Sequence, residues 1–180
     1  MIKIEDQSSE KLKNLNDNVQ SVLGVIPAEH TRGLYKIVFV DLITEPRISA
    51  SQRANLPALY HPRMGGQSAW AEVATTVLSP KKKFPQNLLA RMALKSNIAQ
   101  VVLSLIAQHY YLTLSKGIKK NQIEVACRSY VEKYFEKWRD NQGGLRVKLM
   151  KPFKPYLDRF AKKLAKKYRA EMEKKRLQAK

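Results

Sequence analysis

Tyr35-Lys36-Ile37-Val38-Phe39-Val40-Asp41-Leu42 is the stretch that decides the fold. It is β-branched, aromatic and almost continuously apolar. A strand with one wet face would alternate; a run like this fits a strand covered on both faces. It predicts a central strand, ended by Thr44-Glu45-Pro46-Arg47. Upstream, residues 8–24 predict a short helix. Ser8 or Ser9 would cap it, Leu12, Leu15, Val19, Val22 and Leu23 would form its apolar face, and Gly24 would stop it. Pro27 and Gly33 bracket a connector that carries Glu29 and His30.

Downstream, residues 48–68 hold Pro57, Pro62, Gly65 and Gly66, and read as extended and turn-rich, with a short strand at Ala58–His61. Ala69–Leu78 reads as a second strand, on Trp70, Val73, Thr75, Thr76 and Val77. Ser79–Pro85 reads as a basic loop bounded by prolines. The chain then turns helical. Gln86–Lys95 is one run, and Ser96–Leu114 is the most apolar helix and the expected centre of the fold. Gly117 breaks it. Asn121–Asp140 is amphipathic, with Ile123, Cys127, Tyr130, Val131, Tyr134, Phe135 and Trp138 inward. Gly143-Gly144 marks a boundary. The expected architecture is α+β and predominantly helical: a small sheet packed on a buried central helix over residues 1–142, and a long basic amphipathic helix over 145–180.

That last segment carries most of the charge. Residues 146–180 hold 14 Lys/Arg against 3 acids, a net +11 out of +19 for the chain. Between the charges runs a ladder, Leu149, Phe153, Leu157, Phe160, Leu164, Tyr168 and Met172, at steps of three and four, the rhythm of one helix face. Pro152 and Pro155 are tolerable only in its first turn. Residues 1–145 add 20 basic against 12 acidic groups, so the bias is not confined to the end. A pI near 10.1 predicts attraction to polyanions.

Composition narrows the rest. Length, a hydrophobic fraction of 44% and a charged fraction of 27% fit one globular domain with an appendage. A single cysteine, Cys127, excludes an intrachain disulfide and a cysteine-based zinc cluster; its apolar helical setting predicts a buried thiol. Met1–Asn18 is polar, and no secretory apolar region follows it. Ile98–Leu114 is interrupted by Gln100, Ser104, Gln108 and His109, too short and polar to span a bilayer comfortably. A cytoplasmic location is the expectation. No G-x-x-x-x-G-K-[ST], G-x-G-x-x-G or G-x-S-x-G motif occurs.

The order of parts carries a resemblance. A helix leads into a hydrophobic strand, then Leu59-Tyr60-His61-Pro62, then a second strand. A buried helix with Leu103-Ser104-Leu105-Ile106-Ala107-Gln108-His109-Tyr110-Tyr111 follows, and then a helix bearing Glu124. Over roughly residues 20–140 this resembles a minimal zincin, the metallopeptidase fold whose active helix carries H-E-x-x-H. Zincin chemistry needs two His one helical turn apart to reach one metal, with the intervening Glu as general base. With His109 at the second His, Leu105 stands at the first and Ile106 at the Glu. The resemblance implies a scaffold without peptidase chemistry. Glu124 would match the downstream carboxylate, so His109 and Glu124 are the candidate ligands of an alternative, zinc-holding relic. Set against it, His109 on the face of Val102, Leu105 and Ile106 reads as a hydrogen-bonded core histidine.

The functional expectation is a non-enzymatic protein, without a cofactor, that contacts nucleic acid or another polyanion. The candidate contacts are Lys81, Lys82, Lys83, Lys151, Lys154, Arg159, Lys162, Lys163, Lys166, Lys167, Arg169, Lys174, Lys175 and Arg176. Lysine dominance fits phosphate attraction better than base reading. Two other uses of the same helix are an anionic membrane surface, with Phe153, Phe160, Tyr168 and Met172 dipping in, and a homo-oligomer built through the ladder.

Overall fold

The computed structural model describes residues 2–78, 86–115 and 119–142. The chain divides into two compact units, Met1–Trp138 and Arg139–Lys180. The sheet and the hydrophobic core lie in the first. Lys81–Lys83 and all of 146–180, with the expected basic helix, lie outside the described residues.

The fold is mixed α+β. Strands β1 (Lys3–Asp6), β2 (Leu34–Val40), β3 (Ala58–His61) and β4 (Ala69–Ala74) form one four-stranded sheet in the order β1-β2-β4-β3. The first three neighbours run parallel, and the edge strand β3 is antiparallel to β4. The helices are α1 (Leu15–Leu23), α2 (Ala50–Asn55), α3 (Thr75–Leu78), α4 (Gln86–His109) and α5 (Ile123–Gln142). Parallel β1 and β2 need a crossover, and α1 supplies it. Among the described residues no helix is long and apolar enough to cross a membrane.

The decisive stretch is the strand its composition predicts. Ile37 and Phe39 are fully buried on one face, and Val38 and Val40 are buried on the other. On the first face Ala71 and Val73 of β4 join Ile98, Val102, Leu105 and Ile106 of α4 in one core. From Ile98 to His109, α4 is apolar around most of its circumference, as a helix enclosed on several sides must be. α5 adds Tyr130, Tyr134 and Trp138 to that core. The Trp138 indole N–H donates to Ser21 Oγ at 3.0 Å, tying α5 to α1.

Beyond the unpredicted strand β1, four details differ from the sequence reading, each for a local reason. α1 begins at Leu15 rather than Ser8, because Ser8 N and Oγ both donate to the Asp6 carboxylate (3.0 and 2.5 Å) and fold the chain into a turn. The expected strand Ala69–Leu78 ends at Ala74. Thr75 and Thr76 turn their hydroxyls onto the carbonyls of Val40 and Asp41 (3.1 and 2.7 Å) and start the one-turn helix α3. The expected extended segment 48–68 contains α2, opened by a reciprocal capping box between Ser49 and Gln52. Finally, the two expected helices 86–95 and 96–114 are one continuous α4, followed by a π-helical turn at Tyr110–Leu114 that closes with Ser115 N–H donating to Tyr110 O at 2.8 Å.

Candidate functional site

His109 closes α4 and is fully buried. Its Nε2 lies 2.9 Å from the Arg32 carbonyl, which can only accept, so Nε2 carries the proton. Nδ1 of the neutral ring then accepts from the Tyr60 hydroxyl of β3 at 2.8 Å. Tyr60 Oη in turn accepts from Thr113 Oγ1 at 2.9 Å. The π turn sets Thr113 for that contact. Burial holds the His109 pKa below its ordinary value, the Arg32 carbonyl opposing in part, and burial raises the Tyr60 phenol. Both ring nitrogens are engaged, so a metal at His109 would have to displace the Tyr60 hydroxyl or the Arg32 carbonyl.

Glu124 stands in a different setting. Its side chain is 85% exposed and pairs with Arg128 at 3.2 Å one turn along α5. It lines a groove with Ser104, Gln108, Leu112 and Cys127 that leaves out His109. Among the described residues no group of three or more His, Cys, Asp or Glu side chains is arranged to hold a metal ion. The structure thus does not assemble His109 and Glu124 into the alternative zinc site. Leu105 and Ile106, one turn or so before His109 on α4, are buried in the core. Cys127 is half-buried, and burial pushes its thiol pKa up, which disfavours the nucleophilic thiolate. His30 is likewise structural. Its Nδ1 meets Tyr130 Oη at 2.9 Å, and its ring centroid lies 4.1 Å from that of Tyr110.

The second face of the sheet offers a cluster that sequence reasoning missed. The register places Lys3, Lys36, Trp70 and His61 side by side across all four strands. His61 stacks on Trp70, with centroids 4.0 Å apart and planes 5° from parallel. Lys36 Nζ sits 5.5 Å from the Trp70 ring centroid. One acid serves two lysines here: Glu5 meets Lys3 at 2.7 Å and Lys36 at 3.3 Å, leaving the trio with one uncompensated positive charge. Behind this row, Glu72 is 2% exposed and accepts from Thr44 N at 2.9 Å and from the Thr44 hydroxyl. That holds the chain after β2 over the sheet. His61 Nε2, 3.8 Å from Glu72, has no hydrogen-bond partner among the described residues.

A β-bulge breaks the pairing of β2 with β4 between Leu34 and Lys36. Tyr35 is the extra residue, and the bulge turns its ring outward to 57% exposure. Opposite stands the β3–β4 hairpin loop, closed by the Met64–Gln67 bridge, with Gly65 at φ +55° where a side chain would be strained. Tyr35, Lys36 and Trp70 on one side and Gly66, Gln67 and Ser68 on the other line a cleft of about 450 Å³. The signal for it was present. Tyr35 and Lys36 break the apolar run of the central strand at its first turn, and Gly65-Gly66 marks a tight hairpin.

Fold and site together define a class, a mixed α+β domain with a buried structural histidine and a cationic aromatic cleft on its sheet. Comparison of the chain with protein-family models, with curated proteins and with solved structures gave no match.

Proposed function

We propose that this protein is a non-catalytic polyanion-binding protein whose ligand is nucleic acid, held through the phosphates by the basic segment 146–176 and by Lys81–Lys83. The observation that carries this reading is the pattern of residues 146–180: a net +11 interleaved with an apolar ladder at helical spacing. The cationic cleft on the sheet supports it, because it adds basic and aromatic groups on a separate part of the chain. We read the body as a zincin-like scaffold without zincin chemistry. The succession α1, β2, β3, β4, α4, α5, with an antiparallel edge strand lying against the central helix, supports that layout. The pairing of both His109 nitrogens favours a structural role for this histidine over a ligand's.

The test is fluorescence anisotropy of the full chain with a short RNA and a short duplex DNA across a salt series. A second chain carries Gln at Lys162, Lys163, Lys166 and Lys167. The expected result is tight binding at low salt that falls linearly on a log–log plot, with the slope reduced by roughly 0.7–0.9 for each phosphate contact removed. Equal binding and equal slope for both chains would overturn the reading. Binding to anionic vesicles that survives moderate salt, with no binding to either nucleic acid, would move the basic segment to a membrane surface.

A further inference from the structure

The cleft at the bulge has the composition of a base-stacking site rather than of a plain phosphate patch. We infer that it binds one nucleotide of a single-stranded nucleic acid, the base lying on the Tyr35 ring and the neighbouring phosphate held by Lys36 and Lys3. The proposal deepens the polyanion reading and rests on it for the class of ligand. It does not need residues 146–180.

Three observations carry it. The first is the bulge: Tyr35 is 57% exposed where its neighbours Leu34 and Ile37 are buried, so the backbone irregularity delivers an aromatic face to solvent. A large exposed ring at a strand start is otherwise a poor use of apolar surface, and aromatic rings on sheet faces are the common platform for unpaired bases. The second is charge. Lys36 lines the cleft with Tyr35, Lys3 stands beside Lys36 in the strand register, and Glu5 is shared between the two lysines, so the pair keeps a positive charge for a phosphate. The third is the rigidity of the floor. Trp70 lies between the stacked His61 ring and the Lys36 ammonium, which fixes the wall against which a ligand would settle. The cleft volume of about 450 Å³ is in the range of small-ligand sites and accommodates one base. Gln67 and Ser68 on the hairpin loop add amide and hydroxyl groups that can meet a base edge.

The geometry also selects the form of nucleic acid. Bases in a duplex are stacked on one another and offer no free face, whereas an unpaired base does. The site should therefore discriminate single strands from duplexes, which a lysine-rich segment alone does poorly.

The experiment uses the full chain with a fluorescein-labelled oligouridylate and a duplex of the same length. The chains compared are wild type, Tyr35→Ala, Tyr35→Phe, and the chain with Gln at Lys162, Lys163, Lys166 and Lys167. Loss of one stacked base should weaken oligouridylate binding by about 5- to 150-fold in Tyr35→Ala. Duplex binding should stay unchanged and Tyr35→Phe should bind as wild type. Unchanged oligouridylate binding in Tyr35→Ala overturns the proposal, as does an equal loss in Tyr35→Phe, which would assign the effect to the hydroxyl. The two readings separate cleanly. Loss in Tyr35→Ala with none in the lysine variant would sink the role of 146–176 and keep the cleft. The reverse pattern would sink the cleft and keep the role of 146–176. Exposure of Tyr35 makes the substitution safe for folding, and thermal melts of all four chains check it.

Discussion

Replacing Tyr60 by Phe isolates the histidine network. The ring stays, so no large cavity opens, and only the hydroxyl between His109 and Thr113 is lost. The two partners fare differently. Thr113 is exposed and regains water, so its share of the cost is small. His109 is fully buried, and its Nδ1 becomes an acceptor with no donor and no water. An unsatisfied buried acceptor costs about 1–3 kcal/mol. Urea unfolding followed by far-UV circular dichroism should show that loss directly, and thermal melts should drop by roughly 3–10 °C. Thr113→Val should cost less, about 0.5–1.5 kcal/mol at most, because it removes one hydrogen bond at the wet end of the chain. A second readout is the tautomer. Long-range ¹H–¹⁵N spectra should place the His109 proton on Nε2 in the wild type. A Tyr60→Phe chain as stable as wild type, or a proton on Nδ1, would refute the network.

Burial sets two further expectations. The pKa values of His109 and His30 are both lowered, chiefly by desolvation, so the unfolded chain takes up protons near pH 6.5 while the folded chain resists. Their contribution to stability is complete above pH 6.5 and declines as pH falls below it, by up to about 1.4 kcal/mol per pH unit for each group until the folded form itself protonates. Urea melts between pH 7.5 and 5 check this; stability that is flat or rises on acidification would contradict it. The raised pKa of Cys127 makes its thiol a slow nucleophile, so its reaction with DTNB at pH 8 should be roughly tenfold slower than that of free cysteine. A rate equal to or above that of the free thiol would count against a structural cysteine.

What the sequence discloses about the fold depends on how each element earns its conformation. β2 is legible because it is covered on both faces, and its composition says so. β1 is not: Lys3-Ile4-Glu5-Asp6 is short and charged, and it becomes a strand only by parallel pairing with β2 and by the Lys3–Glu5–Lys36 ion pairs. α3 illustrates the opposite failure. Thr75-Thr76-Val77-Leu78 has strand-forming side chains, yet two threonine hydroxyls bonded to strand-end carbonyls decide the turn, and propensity loses to a local hydrogen bond. α2 has no apolar stripe at all. Its only mark is Ser49 three residues before Gln52, a capping box that competes with turn signals on both sides. The cleft was hidden for a different reason. Its residues come from positions 35–36 and 66–70, and only the strand order, which puts β4 beside β2, makes them neighbours.

His109 shows why a residue type in a familiar position does not identify its chemistry. A histidine on a buried helix can be a ligand or a junction, and the two differ in what its nitrogens face. A ligand histidine points one nitrogen at an open position and anchors the other. Here both nitrogens are anchored to protein, one to a carbonyl before β2 and one to a hydroxyl on β3, and a third segment, the π turn, secures that hydroxyl. Three segments meet at one ring. An apolar side chain of similar size at this position would therefore remove the hydrogen bonds to the Arg32 carbonyl and the Tyr60 hydroxyl together, leaving Tyr60 only its contact with Thr113. The hydrogen bonds at both nitrogens give this histidine a structural role. The chemistry of the protein is then to be sought where exposed, charged and aromatic groups converge, at Tyr35, Lys36 and Trp70.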